Sequence, residues 1–245
     1  MLFRILGPVD LLHPHGTVSI RRGKARALLA VLLLHPGHVL SYDRLTRALW
    51  DESPPVSAIG NLRTYACLLR GLIGEHEGIG LVTHDAGYSI QAPPTAMDHL
   101  IWADLVERGG RALADDVPDE AYQLLSAAEQ LWRGDAAHGV ERLGPLAGWL
   151  AALEEQRLHA VEDLAEAALL SGRTTAAIAT LRAVLTENPA RERSWELLMT
   201  ALDRSGDIDA ALRCFGDAQA ALRDGLGVDP APRLHHLFQQ ILQRV

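Results

Sequence analysis

Apolar residues recur every three or four positions between residues 43 and 73, with one polar break in the middle. Two amphipathic helices are therefore predicted, one over residues 43–50 and one over residues 56–73. Ser41 precedes the first helix as an N-cap residue does, and Pro54 ends it because proline cannot continue the helical hydrogen-bond ladder. The second helix is expected to turn inward a face formed by Leu62, Tyr65, Ala66, Leu69 and Ile73.

Two short segments after the second helix fit β-strands. Residues 81–83 and 88–90 are joined by the turn sequence His-Asp-Ala-Gly at residues 84–87. A helix, a tight break, a longer helix and a hairpin follow one another in this order in winged helix-turn-helix domains, whose second helix enters the DNA major groove. The pattern predicts such a domain, with the hairpin as its wing.

The residues before the helix-turn-helix are predicted to add a small sheet. Residues 2–7, 9–12 and 17–20 fit short antiparallel strands separated by Gly, Pro and His turns. Residues 24–35 form a strongly apolar pattern, as expected for the buried first helix of a three-helix domain. A sheet ahead of the helices distinguishes this domain from most winged helices.

An internal repeat marks the second half of the chain. The Ser171-Gly172 step recurs 34 residues later as Ser205-Gly206, with alanines at matching positions around it. This spacing is the period of tetratricopeptide repeats, in which stacked helix pairs bury one another's apolar faces. The repeat predicts an all-α array, a type of domain that usually holds a partner in a groove.

Further helical patterns extend this region. Apolar residues recur at helical spacing from Ala121 to Trp132, and residues 232–244 fit a last helix. The predicted fold class is mainly α with small β elements. It comprises an N-terminal α+β winged helix-turn-helix domain over residues 1–96 and an all-α tetratricopeptide-like domain over residues 97–245.

Charge changes at the same boundary. The chain of 245 residues has a net charge of −8, but residues 1–96 hold nine basic and seven acidic side chains, and residues 97–245 hold 14 and 24. This shift supports a division into two domains. A net charge of +2 is modest for a DNA-binding domain, because tight non-specific binders have strongly basic surfaces.

Composition disfavours several other classes of protein. The longest apolar run, residues 27–34, is too short to cross a bilayer, and the start of the chain lacks a signal-peptide pattern, so a cytoplasmic protein without membrane contact is expected. Two distant cysteines and scattered histidines do not have metal-ligand spacing. We predict no catalytic residue, no metal and no cofactor, since the sequence contains no catalytic constellation or Gly-rich phosphate loop.

Short motifs are spread along the whole chain in a specific order. They are Ile5-Leu6-Gly7-Pro8, the run from Lys24 to Leu29, Asp43-Arg44-Leu45, Ala48-Leu49-Trp50, Gly87-Tyr88, Leu131-Trp132-Arg133-Gly134, Asn188-Pro189, Ser205-Gly206 and Leu226-Gly227-Val228-Asp229-Pro230. In this order they resemble the Streptomyces antibiotic regulatory protein family, which joins an OmpR-type winged helix to a bacterial transcriptional activation domain.

The resemblance implies an activator of secondary-metabolite gene clusters, such as antibiotic clusters. Family members bind tandem direct repeats near the promoter −35 region and recruit RNA polymerase. The implied partners are double-stranded promoter DNA, RNA polymerase including sigma factor, and a second copy of the chain on DNA. Polymerase contact is expected at the turn residues Asp51, Glu52 and Ser53.

Candidate DNA contacts lie mainly on the second helix. Arg63 and Arg70 are candidates for phosphate or guanine, Thr64 for a thymine methyl group, and Asn61 for a base or a phosphate. The remaining predicted DNA-binding residues are Arg44, Arg47 and His84.

The second helix departs from the family pattern at Leu68 and Gly71, where arginine is typical. The sparse set of candidate contacts leaves an alternative open: a tetratricopeptide-type interaction regulator with a degenerate DNA-binding domain. The basic run over residues 21–26 fits a phosphate clamp and a solvated turn equally well.

Overall fold

The structure is a computed structural model that describes residues 2–74 and 77–244. These residues are mainly helical with two small sheets, as predicted. The strands are β1 (Leu2–Arg4), β2 (Asp10–His13), β3 (Gly16–Ser19), β4 (Leu40–Ser41), β5 (Gly80–His84) and β6 (Gly87–Gln91). The helices are α1 (Gly23–Leu33), α2 (Tyr42–Trp50), α3 (Ala58–Ile73), α4 (Asp98–Ala114), α5 (Pro118–Glu129), α6 (Gly144–Leu170), α7 (Thr174–Glu187), α8 (Glu192–Arg204), α9 (Ile208–Leu226) and α10 (Pro232–Leu242).

Contacts divide the chain into two compact units. Unit 1 comprises residues 1–104 and 130–156, and unit 2 comprises residues 105–129 and 157–245. The division into domains after residue 96 stays a prediction. It differs from the compact units because residues from the helical region, described next, pack with the N-terminal segments.

The first sheet of unit 1 is antiparallel, in the order β1-β2-β3. Phe3 lies opposite Leu11, and both side chains are fully buried, as alternation along a strand with one covered face requires. The predicted N-terminal sheet is therefore present.

A buried carboxylate fastens the end of this sheet. Asp98 accepts backbone hydrogen bonds from Ile5 at 2.9 Å and from Leu6 at 3.0 Å. The backbone N–H of Arg133 donates to the Leu6 carbonyl at 2.8 Å. Gly7 has a φ of +132°, and a Cβ there would lie only 2.9 Å from the Cβ of Arg133. The two sequence motifs around Leu6 and Arg133 are thus in direct contact.

The second sheet has the order β4-β6-β5. Strand β4 is not predicted from the sequence, because two residues are too few to form a pattern. Gly87 pairs with Ser41, and a Cβ at Gly87 would lie 1.8 Å from the carbonyl oxygen of Leu40. Only glycine allows this approach of β6 to β4. His84 and Gly87 belong to the strands of the hairpin, so its turn is shorter than the predicted residues 84–87.

Helices α1 to α3 complete this part of unit 1. Helix α1 is buried along most of its length, and the Ser41 side chain caps α2 by accepting from the backbone N–H of Arg44 at 3.2 Å. Helix α3 begins at Ala58 rather than at the predicted Val56. The reason is a turn in which the Ala58 N–H donates to the Pro55 carbonyl at 2.9 Å.

Unit 2 consists of packed helices with glycine turns. Gly172 and Gly206, with φ of +77° and +83°, follow α6 and α8, at the positions that the repeat predicts. Helix α5 ends at Glu129, before the predicted end at Trp132. The Trp132 ring instead lies edge-on against Trp102 in unit 1, at 5.7 Å between ring centroids.

None of the helices within residues 2–74 and 77–244 has the length and apolar character needed to cross a membrane. The same residues contain no cluster of three or more His, Cys, Asp or Glu side chains suited to a metal ion.

Candidate nucleic-acid interface

Helix α3 has one buried face and one exposed face. Four of its five predicted inward residues are buried, and the fifth, Tyr65, is half-buried and stacks on Trp50 at 6.5 Å between ring centroids. The exposed face carries small side chains with one arginine beside them: Gly60, Arg63, Thr64, Cys67 and Gly71.

The predicted contact residues in the first half of α3 differ in which of their polar groups already have a partner within the protein. Arg63 is exposed and forms no hydrogen bond or ion pair with any residue that the structure describes. The Thr64 hydroxyl donates to the Gly60 carbonyl at 3.1 Å, so its methyl group is what an outside partner would meet. The Asn61 amide donates to the Ser57 hydroxyl at 3.3 Å. Arg63 is therefore the side chain of this group with an uncommitted charge.

Arg70, near the end of α3, binds the hairpin. Its Nε–H donates to the Leu81 carbonyl at 2.9 Å, and Nη2 donates to the Thr83 hydroxyl. Its guanidinium also lies 5.9 Å from the centre of the Tyr88 ring. Sequence reasoning predicted a DNA contact here, and the structure places the side chain on β5. All of these partners are neutral, so the positive charge of Arg70 is not compensated by them.

Two tyrosines connect the hairpin to α2. Tyr88 on β6 and Tyr42 at the start of α2 pack edge to face at 5.6 Å between ring centroids. Burial raises the pKa of the Tyr88 hydroxyl, and the charge and hydrogen bond of Tyr42 raise it further, against smaller opposing effects of Arg70 and Arg63. The phenol is therefore a neutral packing group at neutral pH, and it helps to fix the hairpin beside α2 and α3.

The side chain of the predicted wing residue His84 links the two strands of the hairpin. Its Nε2 lies 2.8 Å from the Ser89 hydroxyl oxygen across the two strands. The ring is half-buried, which leaves one edge for a partner.

Arg44 and Arg47 lie on α2 in different settings. Nη2 of Arg44 is 2.8 Å from Nε2 of His35, and its guanidinium is 5.2 Å from the centre of the Trp149 ring. Burial lowers the pKa of His35 and the charge of Arg44 lowers it further, although a hydrogen bond to Val31 opposes them, so the imidazole accepts as a neutral group. Arg47 pairs with Asp43 at 3.3 Å.

The contact between Arg44 and Trp149 was missed by sequence reasoning. The two residues are 105 positions apart, and no local pattern links them. The same holds for Lys24, whose Nζ donates to the Leu49 carbonyl near the end of α2 and pairs with Glu141 at 3.0 Å. Lys24 is thus turned inward, although it belongs to the basic run over residues 21–26.

The predicted polymerase-contact residues form an exposed turn after α2. Asp51, Glu52 and Ser53 are all exposed. Asp51 has a φ of +56°, which is uncommon for a residue with a side chain. Its N–H donates to the Arg47 carbonyl at 2.9 Å, and the Ser53 N–H donates to the Trp50 carbonyl at 3.2 Å. These bonds give the turn a defined shape on the surface of unit 1.

Comparisons with known proteins define the class. Residues 97–242 match the family described as "Bacterial transcriptional activator domain". This is a class of bacterial transcriptional regulators. Within it, the chain belongs to the Streptomyces antibiotic regulatory protein family, and the predicted resemblance is confirmed.

Relatives match almost the whole chain. The regulatory protein DnrI of Streptomyces peucetius is 34% identical over 99% of this chain and 92% of its own length. The transcriptional regulator RedD of Streptomyces coelicolor is 35% identical over 97% of this chain and 69% of its own length. The regulatory protein AfsR of Streptomyces griseus is 36% identical over 98% of this chain, which spans only 24% of AfsR.

A solved structure has the same fold. Mycobacterium tuberculosis EmbR, in complex with a low-affinity phosphopeptide, matches with a TM-score of 0.90 and 31% identity over 99% of this chain and 65% of the EmbR chain.

Proposed function

We propose that this regulator is a DNA-binding transcriptional activator, specific for a secondary-metabolite gene cluster such as an antibiotic cluster. Helices α2 and α3 with the hairpin β5–β6 act as a winged helix-turn-helix, and the glycine-turned helices of unit 2 act as a tetratricopeptide-like activation domain. It works through contact, with promoter DNA and RNA polymerase as partners.

The observation that carries this proposal is the setting of three arginines. Arg44, Arg63 and Arg70 lie on α2 and α3, and none of them pairs with an acid among the described residues. Uncompensated guanidiniums on the exposed side of a helix-turn-helix suit the phosphates of DNA, each neutralised phosphate contributing close to one unit of salt dependence.

Within this site, the residues have separate roles. Arg63 enters the major groove and binds guanine or phosphate, Thr64 offers a methyl group to thymine, and Asn61 contacts a base or a phosphate. Arg70 holds the hairpin against α3 and adds positive charge. His84 contacts the sugar–phosphate backbone of the DNA from the hairpin. Arg44 and Arg47 extend the contact along α2. Two protomers bind side by side on direct repeats near the −35 region.

The exposed turn after α2 is proposed to contact polymerase. Asp51, Glu52 and Ser53 are exposed on a turn with a defined backbone, and the two acidic side chains suit a basic patch on polymerase. Activation then follows from joint binding, because two weak contacts on linked partners hold at a high effective concentration.

The alternative, an interaction regulator with a degenerate DNA-binding domain, is favoured by one observation. The exposed face of α3 has Gly60 near its start and Gly71 near its end, where larger side chains would fit without touching the described part of the protein.

Transcription in vitro separates these functions. RNA polymerase holoenzyme is combined with the promoter regions of the neighbouring genes, and transcripts and DNA binding are measured together. The proposal predicts promoter-specific transcripts that Arg63→Ala reduces together with the affinity for the promoter. Glu52→Ala should reduce transcripts and leave binding to DNA alone unchanged. No preference for any promoter fragment, with or without holoenzyme, would overturn the proposal and support the alternative.

A further inference from the structure

Nearly every arginine side chain of unit 2 forms a hydrogen bond or an ion pair within the protein. Ten of its twelve arginines have a hydrogen-bond or ion-pair partner, most of them an acid. The remaining two, Arg182 on α7 and Arg213 on α9, form no such contact with the described residues, and both are exposed.

These two arginines line the same cleft. It lies between α7, α8 and α9 and has a volume of about 160 Å³. Its floor is apolar, formed by Trp195, Leu198, Leu202 and Cys214. Two free guanidiniums over an apolar floor are complementary to a carboxylate that is attached to an apolar group.

The floor is held in place. The Trp195 indole N–H donates to the Pro189 carbonyl at 2.8 Å, which fixes the ring. Burial raises the pKa of the Cys214 thiol to about 12, so at neutral pH this side chain is an uncharged part of the floor. The cleft is therefore largely preformed within unit 2.

The size of the cleft selects the kind of ligand. Sites for drug-sized small molecules typically have about 300–1,000 Å³, so about 160 Å³ suits one side chain and part of a neighbour. A protein segment meets this requirement, because it can place one residue in the cleft and gain further contacts along the helices.

We propose that this cleft is a docking site for an acidic segment of a partner protein. An Asp or Glu carboxylate of the segment lies between Arg182 and Arg213, and an adjacent aliphatic or aromatic side chain packs on Trp195. Asp217 also lines the cleft and forms no ion pair with either arginine, so it weakens the attraction and tunes the affinity. This site is separate from the DNA-binding residues, and its test does not involve DNA.

The test is a selection from a random nine-residue peptide library displayed on phage. The bait is the full chain, and the Arg182→Gln/Arg213→Gln variant removes peptides that bind elsewhere. We expect enriched peptides in which Asp or Glu adjoins an apolar residue. Their affinity for the double variant should fall by about tenfold or more, which is the loss of a charge-assisted contact. Amide versions of the peptides, with Asn or Gln, should lose as much.

Two single variants sharpen the result. Arg223→Gln removes an exposed charge from the same helix, α9, and is expected to change affinity by less than about twofold, because rim charges contribute little to affinity. Asp217→Asn should tighten binding several-fold, since it removes a like charge from the cleft. Thermal unfolding of all variants should match the wild type, as the changed side chains are exposed.

Several results would overturn the proposal. They are the absence of any enriched peptide, enriched peptides without an acid, and an Arg223→Gln effect equal to that of the double variant. Stabilisation of the wild type by sodium benzoate with no enriched peptide would identify a small-molecule site instead, and it would overturn the proposal as well.

Discussion

Most arginines of unit 2 have acidic partners, and most arginines around α2 and α3 do not. In unit 2 most guanidiniums bind acids, and one acid is central: Glu162 is 1% exposed, accepts from the Ser194 hydroxyl at 2.6 Å and pairs with Arg191 at 2.9 Å. Around helices α2 and α3, Arg44 and Arg70 bind neutral groups, and Arg63 binds nothing that the structure describes. Arginine charge is thus mostly paired with acids in unit 2, with Arg182 and Arg213 as exceptions, whereas around α2 and α3 only Arg47 pairs with an acid among the described residues.

The comparison also extends to backbone packing. Unit 1 depends on close approach of strands at Gly87 and of loops at Gly7. The glycines of unit 2 at positions 172 and 206 serve as helix ends, and a Cβ there would meet nothing within 4 Å. Close backbone approach therefore limits substitution at Gly7 and Gly87, whereas at Gly172 and Gly206 only the positive φ does.

The largest effect is expected from Gly87→Ala. The added Cβ would overlap the Leu40 carbonyl oxygen at 1.8 Å, so β4 and β6 must separate. We expect a loss of about 3 kcal/mol in the free energy of unfolding, at the upper end for steric overpacking. Urea unfolding measures it. Gly80→Ala on β5, where a Cβ has open space, is the control and should change stability by less than about 0.5 kcal/mol. Equal effects at both glycines would contradict the close approach.

The next effect is expected from Glu162→Gln in unit 2. The variant leaves the Arg191 and Arg193 charges without their buried partner, so we expect a loss of about 2–3 kcal/mol at pH 7. Thermal and urea unfolding measure it. Glu187→Gln, at an exposed position on α7 of the same unit, is the control for the change of charge.

The acid dependence of stability follows from the same carboxyl. Burial raises the pKa of Glu162, but hydrogen bonds from Arg191 and Ser194 and the charges of Arg191 and Arg193 lower it more, and the net direction is down. A lowered pKa stabilises the folded state above the unfolded value, about 4.3 for Glu, and this contribution is lost as pH falls through the folded-state value. Unfolding measured from pH 7 to pH 3 should therefore show a smaller acid-induced loss in Glu162→Gln. An equal loss in both proteins would contradict the lowered pKa.

A smaller effect is expected when the hairpin is released from α3. Arg70→Gln removes the bond to the Leu81 carbonyl and should cost about 1–2 kcal/mol, with faster hydrogen exchange in β5 of the free protein. Arg63→Gln should leave stability and exchange unchanged. If both variants exchange alike, Arg70 does not hold the hairpin.

The smallest effect, and a stabilising one, is expected from Gly60→Ala. A Cβ there meets nothing within 4 Å, and glycine inside a helix costs about 0.5–1 kcal/mol relative to alanine. Thermal unfolding should show this gain. The same change at Gly216 of α9, also open, should give an equal gain, so a difference in DNA binding between the two variants would come from the contact surface of α3 alone.

Much of this architecture follows from local patterns. The spacing of Leu62, Ala66 and Leu69 predicted the buried face of α3, and Ser41 predicted the cap of α2, because both depend on neighbours within a turn or two. The glycine turns of unit 2 were likewise visible at fixed spacing.

The rest depends on contacts that no local pattern encodes. Strand β4 forms only because the distant strand β6 supplies its partner: Leu40 faces Tyr88 and Ser41 faces Gly87. The role of Arg70 could not be separated from that of Arg63 by helical spacing, since both lie on the same flank of α3 and only the hairpin distinguishes them. The sequence did not predict the buried network of Glu162. Asp and Glu are expected to be exposed unless a pairing partner is known, and no local pattern identifies Arg191 or Ser194 as a partner.

The most direct test of the proposed DNA site is the salt dependence of binding to a promoter fragment that the protein prefers. The logarithm of the association constant is plotted against the logarithm of the salt concentration for the wild type and for Arg63→Ala. Arg223→Ala of unit 2 is the control. If Arg63 binds a phosphate, the slope should be shallower by about 0.9 for Arg63→Ala and unchanged for the control, because one phosphate contact is lost. If Arg63 binds a base, the slope should be unchanged and the preference for a guanine lost. Wild-type slope, affinity and base preference in Arg63→Ala would contradict the account.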